Sequence, residues 1–188
     1  MTRSSPAWMP AAIAAAVVYG PMLAETVRAR RNERRQLARG GIEAAGDVHD
    51  LMRIIYPGAF AAMLAELAVR GLPSAAALGA GAASFAAAKA IKWSAIRALG
   101  PAWTFRVIVV PGDPLVTGGP YRFVRQPNYV GVVLELLGTA LATGARWSGP
   151  AALAVFGALL VRRIAVEDRA LAAASKEAQA PGLQQPAR

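Results

Sequence analysis

The chain has 188 residues, of which 55% are hydrophobic and 17% charged, with a formal net charge of +10. Since an average soluble domain is about 25% charged, this composition indicates a small integral membrane protein. The absence of cysteine excludes disulfides and thiolate metal sites, and the single histidine, His49, cannot build a histidine-rich metal centre, so no metal site is expected.

Five membrane-spanning helices are predicted in chain order, over residues 7–24, 54–69, 74–91, 129–143 and 147–161. The first apolar run is longer than the core of a typical signal peptide, and the arginines after it are typical of a stop-transfer sequence, so we expect a retained helix. Glu66 and Glu135 lie in the second and fourth spans, where an acid is expected to face the bundle interior or a polar cavity. The chain is therefore predicted to be an all-α polytopic membrane bundle.

Glycine and alanine are abundant in the last three spans, which predicts close contacts between those helices. The stretch "GAGAAS" at residues 79–84 superficially resembles a dinucleotide-binding loop. It lacks the last glycine of such a loop and follows no strand, so helix packing is the better interpretation.

Three segments outside the spans are predicted to share one side of the membrane. The first, "RARRNERRQLARGG", is expected to lie along anionic headgroups as an interfacial helix. The second, residues 92–128, is interrupted by proline and glycine, and its "FRVIVV" run suggests a short strand or a buried extended piece. A long ordered loop of this kind is usually functional. The last segment ends in a tail over residues 176–188 that is expected to be disordered, so that residues 1–175 form a single domain.

The distribution of lysine and arginine predicts the orientation of the bundle. Eighteen of these 21 residues fall on the side that holds the three segments, and Arg3, Arg70 and Arg146 fall on the other. The positive-inside rule then places the N-terminus outside and the C-terminus in the cytoplasm. The positive charge is explained by this asymmetry, and no aromatic-basic pattern supports a nucleic-acid partner. Membrane lipids are the expected surroundings, and the sequence indicates no oligomeric state.

A polar stretch, "YRFVRQPNY" at residues 121–129, precedes the fourth span. Arg122 and Arg125 would share a face on one helical turn, and Pro127 suits the start of a helix with Asn128 as a cap. The N-terminus of a helix offers backbone N–H groups to an anion or a polar ligand. Tyrosine and arginine are equally common in the belt at headgroup depth, so position alone leaves a binding site and an interface belt both open.

A second polar stretch, "RRIAVEDRAL", follows the fifth span. Arg163 and Glu167 are four residues apart on a predicted helix, and the spacing alone favours a surface ion pair of small energetic worth. The alternative is a carboxylate that meets a cationic ligand at the cytoplasmic end of the bundle.

The two stretches together resemble the isoprenylcysteine carboxyl methyltransferase family of integral membrane enzymes that use S-adenosylmethionine. "PLVTGGPYRFVRQPNYVG" resembles the family pattern L-V-T-x-G-x-Y-x-x-x-R-H-P-x-Y-x-G, and "RI..ED..L" resembles R-I-x-x-E-E-x-x-L. The resemblance covers residues 103–171, and the residues before 103 match only as hydrophobic spans. The resemblance changes the interpretation of Arg163 and Glu167 from a surface pair to site residues.

The resemblance implies a role for each matched position. Arg163 would hold the anionic group of the acceptor, with Arg125 or Arg122 beside it, and Glu167 would contact the methyl donor. The remaining cofactor-binding residues implied by the pattern are Leu115, Val116, Tyr121, Gln126, Pro127, Asn128 and Tyr129.

Three departures from the family pattern bear on the chemistry. Gln126 stands where the family has histidine, which keeps hydrogen bonding but removes imidazole chemistry at that position. Asp168 replaces the second glutamate and reaches less far. The tail after Leu171 lacks the charged, aromatic, proline-ended segment of the family, which argues against a large protein substrate.

The resemblance therefore implies an S-adenosylmethionine-dependent O-methyltransferase of a bacterial cell membrane, with its active site facing the cytoplasm. The acceptor is expected to be a lipophilic small molecule with an anionic carboxylate or an acidic hydroxyl, isoprenylcysteine-like or alkylpyrone-like, and an acceptor that is already an anion needs no strong base. Two alternatives remain: an NADPH-dependent membrane reductase of the steroid-reductase type, and a non-enzymatic membrane adaptor.

Overall fold

The computed structural model describes residues 8–179, with side chains described as far as residue 174. Over this range the elements are Met9–Ala38 (α1), Ile42–Glu43 (β1), His49–Arg70 (α2), Ala75–Leu99 (α3), Ile108–Val109 (β2), Pro127–Thr143 (α4) and Ser148–Gln179 (α5). The predicted all-α bundle is confirmed, and each predicted span lies within one helix. Residue 7 of the first span and residues 180–188 of the predicted tail lie outside the described residues, while residues 176–179 continue α5.

Three helices are long and apolar enough to cross a membrane, α1, α2 and residues 148–174 of α5. The α3 helix carries two lysines and an arginine in its second half, and α4 has 17 residues, about 26 Å of helix. The span count of five and the orientation therefore stay predictions.

Helix α1 is one continuous helix of 30 residues, about 45 Å long, rather than a span followed by a separate interfacial helix. Its buried residues recur at intervals of three, four and seven, which forms a single stripe along the helix: Val18, Glu25, Ala29, Asn32 and Gln36. The expectation that the arginine-rich segment lies along headgroups is wrong for Asn32 and Gln36 of this stripe, because their side chains bind the protein backbone.

The segment that follows α3 is held by these polar side chains. Asn32 Nδ2 donates to the carbonyls of Gly100 at 3.1 Å and Trp103 at 2.8 Å, and Gln36 Nε2 donates to that of Pro101 at 2.8 Å. Buried carbonyls of an irregular segment need such partners. The last two turns of α1 therefore fix the path of this segment.

Helices α3 and α4 pack closely as a hairpin through glycines. A Cβ atom on Gly81 would lie 2.2 Å from the backbone nitrogen of Ala142, and one on Gly138 would lie 2.6 Å from that of Phe85. Small residues allow such backbone approach where lipid provides no hydrophobic drive. The interpretation of "GAGAAS" as a helix-packing sequence is confirmed.

The remaining helices enclose an apolar core. Phe60 and Met63 of α2 pack with Leu136 of α4 and Phe156 of α5, all at most 3% exposed. At one end of this core, the Glu66 carboxylate accepts hydrogen bonds from the backbone nitrogens of Arg146 at 2.8 Å and Ser148 at 3.0 Å. The expectation that Glu66 faces the bundle interior or a polar cavity is therefore wrong, since it caps the turn into α5.

The two strands close the opposite end of the bundle. Strands β1 and β2 pair antiparallel, with Ile42 opposite Val109, and Arg106 forms an ion pair with Glu43 at 3.0 Å. The short strand predicted in "FRVIVV" is thereby confirmed. The pairing ties the turn after α1 to the long segment between α3 and α4.

Candidate active site

A cavity of about 610 Å³ lies between α1, α2, α4, α5 and the segment after α3. This volume is in the range of small-molecule sites, roughly 300–1,000 Å³. Polar residues line the part of the cavity near the end of α1 and the starts of α2 and α4. They include Glu33, His49, Tyr121, Gln126, Arg163 and Glu167. Apolar residues two to three helical turns farther along line another part, among them Met22, Pro57, Val132, Phe156 and Leu160.

Arg163 is a buried cation at the polar part of the cavity, 5% exposed. Its Nη1 atom lies 2.6 Å from Oδ1 of Asp47, Nη2 donates to the Phe105 carbonyl, and Nε donates to the Tyr129 hydroxyl at 3.2 Å. A guanidinium holds its donors in a rigid plane, so three partners in different directions fix its orientation.

Tyr129 lies between Arg163 and Glu167. Its hydroxyl accepts from Arg163 and donates to Oε2 of Glu167 at 2.7 Å. The direct Arg163–Glu167 ion pair allowed by the spacing is therefore absent from the ion pairs of the described residues, and a neutral hydroxyl bridges the two charges. The Glu167 carboxylate thus lies beside the cavity without a direct ion pair to Arg163.

Tyr121 contributes a second hydroxyl to this wall. Burial, with the nearby Glu167 carboxylate, raises the pKa of Tyr121. The group consequently stays protonated at neutral pH and is able to donate a hydrogen bond into the cavity.

Asp47 is a central residue that the sequence did not single out. One carboxylate oxygen, Oδ1, binds Arg163 and also accepts from the backbone nitrogen of His49 at 3.0 Å, while Oδ2 accepts from that of Val107 at 2.9 Å. Asp47 therefore joins the start of α2 to α5 and to the segment before β2. In the sequence, Asp47 could have been noticed only as an acidic residue just before an apolar helix, which is typical of a helix cap.

His49 lines the same cavity, which the sequence argument missed because His49 is far in the chain from the polar stretches. Its ring stacks on Phe105, with the ring centres 6.3 Å apart and the planes 26° apart. Gln126 removes the imidazole at that position, and His49 provides one elsewhere in the cavity lining.

An ionic cluster of four residues lies deeper in the bundle. Lys92 is 2.7 Å from Glu25 and 3.4 Å from Glu135, and Lys89 is 3.0 Å from an oxygen of each. The Tyr56 hydroxyl donates to Glu135. Glu25, Tyr56 and Lys92 also line the cavity, which confirms that Glu135 faces the bundle interior and gives the cavity a polar wall within the bundle.

Comparison with known proteins identifies the family. The family model described as isoprenylcysteine carboxyl methyltransferase (ICMT) family matches residues 81–173. An uncharacterized protein of Bacillus subtilis strain 168, YpbQ, is 32% identical over 83% of this chain and 93% of its own length. The chain belongs to the isoprenylcysteine carboxyl methyltransferase family. An uncharacterized protein of Haemophilus influenzae is 25% identical over 75% of this chain and 83% of its own length, and no solved structure matches.

Membership in the isoprenylcysteine carboxyl methyltransferase family makes the chain a membrane methyltransferase in general. The matched region contains both polar stretches, all of α4 and most of α3 and α5. It excludes α1 and α2, which contribute Glu33 and His49 to the cavity lining, and it excludes Asp47 just before α2, which binds Arg163. Half of the site therefore comes from residues that the family pattern does not cover.

The structure brings together six of the ten residues that the family resemblance implies. Tyr121, Gln126, Asn128, Tyr129, Arg163 and Glu167 line the cavity. Pro127 is buried as the first residue of α4, where Gln126 takes the cap position predicted for Asn128 and Asn128 Oδ1 accepts from Trp103 at 3.3 Å.

The other three residues lie outside the cavity lining. Leu115 is 62% exposed, and Val116 is half-buried in the same loop. The side chain of Arg125 is 87% exposed and lies 3.6 Å from Asp168 on the outer surface of α5. Their roles stay predictions.

Proposed function

We propose that the chain is an S-adenosylmethionine-dependent O-methyltransferase that acts on a lipophilic acceptor carrying a carboxylate or an acidic hydroxyl. The observation that carries this proposal is the Arg163–Tyr129–Glu167 bridge at a cavity that also has an apolar part. The bridge holds one fixed cation and one fixed anion a hydroxyl apart, which matches an anionic acceptor next to a cationic donor.

The residues of the cavity fit the methyl donor. Its sulfonium would be held near the Glu167 carboxylate, and the hydrogen-bonding groups of Gln126, Asn128 and Tyr121 would bind its polar parts. When bound, S-adenosylmethionine supplies an electrophilic methyl group on a positively charged sulfur. Glu167 is available for this contact because its hydrogen-bond partner is the Tyr129 hydroxyl and not the Arg163 guanidinium.

Arg163 orients the acceptor. Its guanidinium is fixed by Asp47, Phe105 and Tyr129, so an acceptor oxygen bound to it is held in one place. Alignment of a nucleophile in this way supplies up to about 7–11 kcal/mol in the best intramolecular reactions. The apolar residues near Phe156 and Leu160 exclude water and bind the hydrocarbon part of the acceptor.

The proposal includes the arrangement in the membrane. All five helices cross the bilayer with the N-terminus outside, and the polar part of the cavity opens to the cytoplasm of a bacterial cell. The charge distribution supports this, with one refinement: Lys89 and Lys92, counted on the cytoplasmic side, pair with Glu25 and Glu135 inside the bundle. Without these two lysines, sixteen lysine and arginine residues still fall on the cytoplasmic side and three on the other.

Calorimetric titration of the detergent-purified protein tests the donor. S-adenosylhomocysteine is expected to bind and NADPH is not. Binding of NADPH alone would establish the reductase alternative, and binding of neither would favour a non-enzymatic adaptor. Mass spectrometry of lipid extracts from cells with and without the protein then identifies the acceptor by the mass of one added methyl group.

A further inference from the structure

His49 lies beside the group that we assign to the acceptor. Its backbone nitrogen and Nη1 of Arg163 both bind Oδ1 of Asp47, at 3.0 and 2.6 Å, so the two nitrogens are within about 6 Å of each other. Phe105 makes a second link, because its carbonyl accepts from Arg163 Nη2 and its ring stacks on the imidazole. These two links, with the cavity lining that His49 and Arg163 share, place His49 near the guanidinium.

The imidazole of His49 has the chemistry of a proton acceptor. Imidazole takes up and releases a proton near neutral pH, with an ordinary pKa of about 6.5. His49 is partly exposed to the cavity and is the single histidine of the chain. The charged groups that face it are Arg163 of α5, Asp47 before α2, Glu33 of α1 and Arg106 of the segment before β2, two cations and two anions.

We propose that His49 is the general base that accepts the proton of an acceptor whose hydroxyl is neutral, such as a phenol. The inference rests on the proposed methyltransferase function. As the acceptor oxygen forms its bond to the methyl carbon, the carbon–sulfur bond of the donor breaks and its electron pair stays on sulfur. The hydroxyl proton moves to a ring nitrogen of His49, and the imidazolium then returns it to water.

Two acceptor probes separate this role from a structural one. 5-Pentadecylresorcinol is a phenol, whose pKa near 10 leaves it protonated at neutral pH, whereas N-acetyl-S-farnesylcysteine has a carboxylate that is already ionised. The carboxylate needs no base and serves as the internal control. A general base typically contributes about 100- to 10,000-fold to the rate.

The variant His49→Phe keeps a ring to stack on Phe105 and removes the nitrogen. We expect it to lower methylation of the resorcinol by about 100-fold or more and that of the farnesylcysteine by only about a few-fold. The wild-type rate on the resorcinol should rise with pH as the imidazole loses its proton, and the variant should lack that rise. Asp50→Asn, an exposed neighbour on the same helical turn, is the matched control.

A second readout does not depend on turnover. Since the chain has one histidine, the imidazole signals of histidine-labelled protein in NMR spectra belong to His49 without assignment. We expect these signals to shift when 5-pentadecylresorcinol is added to protein saturated with S-adenosylhomocysteine. Retained S-adenosylhomocysteine affinity in His49→Phe shows that the variant is folded.

Each other outcome overturns the inference. Equal losses of activity on both probes would make His49 structural. His49 would be excluded as a base by full resorcinol activity in the variant or by an unshifted imidazole signal. Wild-type activity on the carboxylate alone would exclude it as well. In those cases the methyltransferase proposal stands. Absence of S-adenosylhomocysteine binding in the wild type removes both proposals together.

Discussion

Tyr129 allows two buried charges to coexist in one wall of the cavity without neutralising each other. Its hydroxyl accepts from Arg163 and donates to Glu167, so that each charged group is hydrogen-bonded and still keeps a side toward the cavity. A direct ion pair would satisfy the same burial but would leave less field for a ligand, because each charge would cancel the other. In the proposed function, the bridging hydroxyl leaves each charged group available to a ligand of opposite charge.

The variant Glu167→Gln tests the charge at this position. Glutamine accepts the Tyr129 hydrogen bond but carries no negative charge. We expect the dissociation constant for S-adenosylhomocysteine to change little. That for sinefungin, which carries an ammonium group in place of the sulfonium, should rise about 10- to 100-fold. Calorimetry measures both. Asp168→Asn, with its side chain 44% exposed beside Arg125, is the control. Equal affinities of wild type and Glu167→Gln for the cationic analogue would remove Glu167 from the donor site.

At the scale of the elements, α1, α3 and α4 are joined by the ionic cluster of Glu25, Lys89, Lys92 and Glu135. Two cations and two anions leave the cluster neutral, which is the condition for keeping charges within an apolar bundle. Buried pairs are costly to desolvate and costlier to break, because removal of one partner leaves a charge without compensation. The cluster therefore constrains which helices assemble together.

The variant Lys92→Met removes one of the two cations. We expect it to lower the free energy of unfolding by about 3–5 kcal/mol, since Glu25 and Glu135 then share Lys89. The double variant Lys92→Met/Glu25→Gln restores neutrality and should recover part of the loss. Thermal unfolding in detergent measures both, and a double variant no more stable than the single one would contradict the charge argument.

The α3–α4 contact makes an independent prediction with a control in the same helix. Gly81→Ala places a Cβ atom 2.2 Å from the backbone nitrogen of Ala142, so the helices must separate, and we expect a loss of about 1–3 kcal/mol. Gly79→Ala meets nothing within 4 Å and should be neutral or stabilising. Thermal unfolding of the two variants compares them directly, and similar melting temperatures would show that the helices do not pack through Gly81.

At the scale of the whole molecule, the helices were predictable from hydropathy, because each contains a local apolar pattern. The close packing of α3 and α4 was predictable from their glycines. Tyr129, Arg163 and Glu167 were predictable as site residues, because they lie in two short polar stretches that resemble the family pattern. Asp47 and His49 were not, because Asp47 binds Arg163 across 116 residues of chain and nothing in the sequence pairs α2 with α5. The four-residue ionic cluster was missed for the same reason, as Glu135 and Lys92 were visible only as isolated charges.

The orientation in the membrane is a prediction about the whole molecule, and the absence of cysteine makes it easy to measure. Single cysteines at exposed Leu72, between α2 and α3, and at exposed Leu115, between α3 and α4, lie on opposite faces of the proposed bundle. In intact bacteria a membrane-impermeant maleimide should label Leu72→Cys and leave Leu115→Cys unlabelled until the cells are opened. The reverse pattern would invert the topology.

The way α1 holds the segment after α3 has a consequence for the evolution of specificity. Asn32 and Gln36 bind carbonyls, and Glu33 Oε1 accepts from the backbone nitrogen of Phe105 at 3.1 Å, so these contacts depend on the main chain and not on the side chains of the segment. Exchange of a residue such as Thr104, which lines the cavity, therefore removes its own hydrogen bond to the Arg106 carbonyl and keeps the contacts from α1. Diversified libraries at such positions offer a route to new acceptors on an unchanged scaffold.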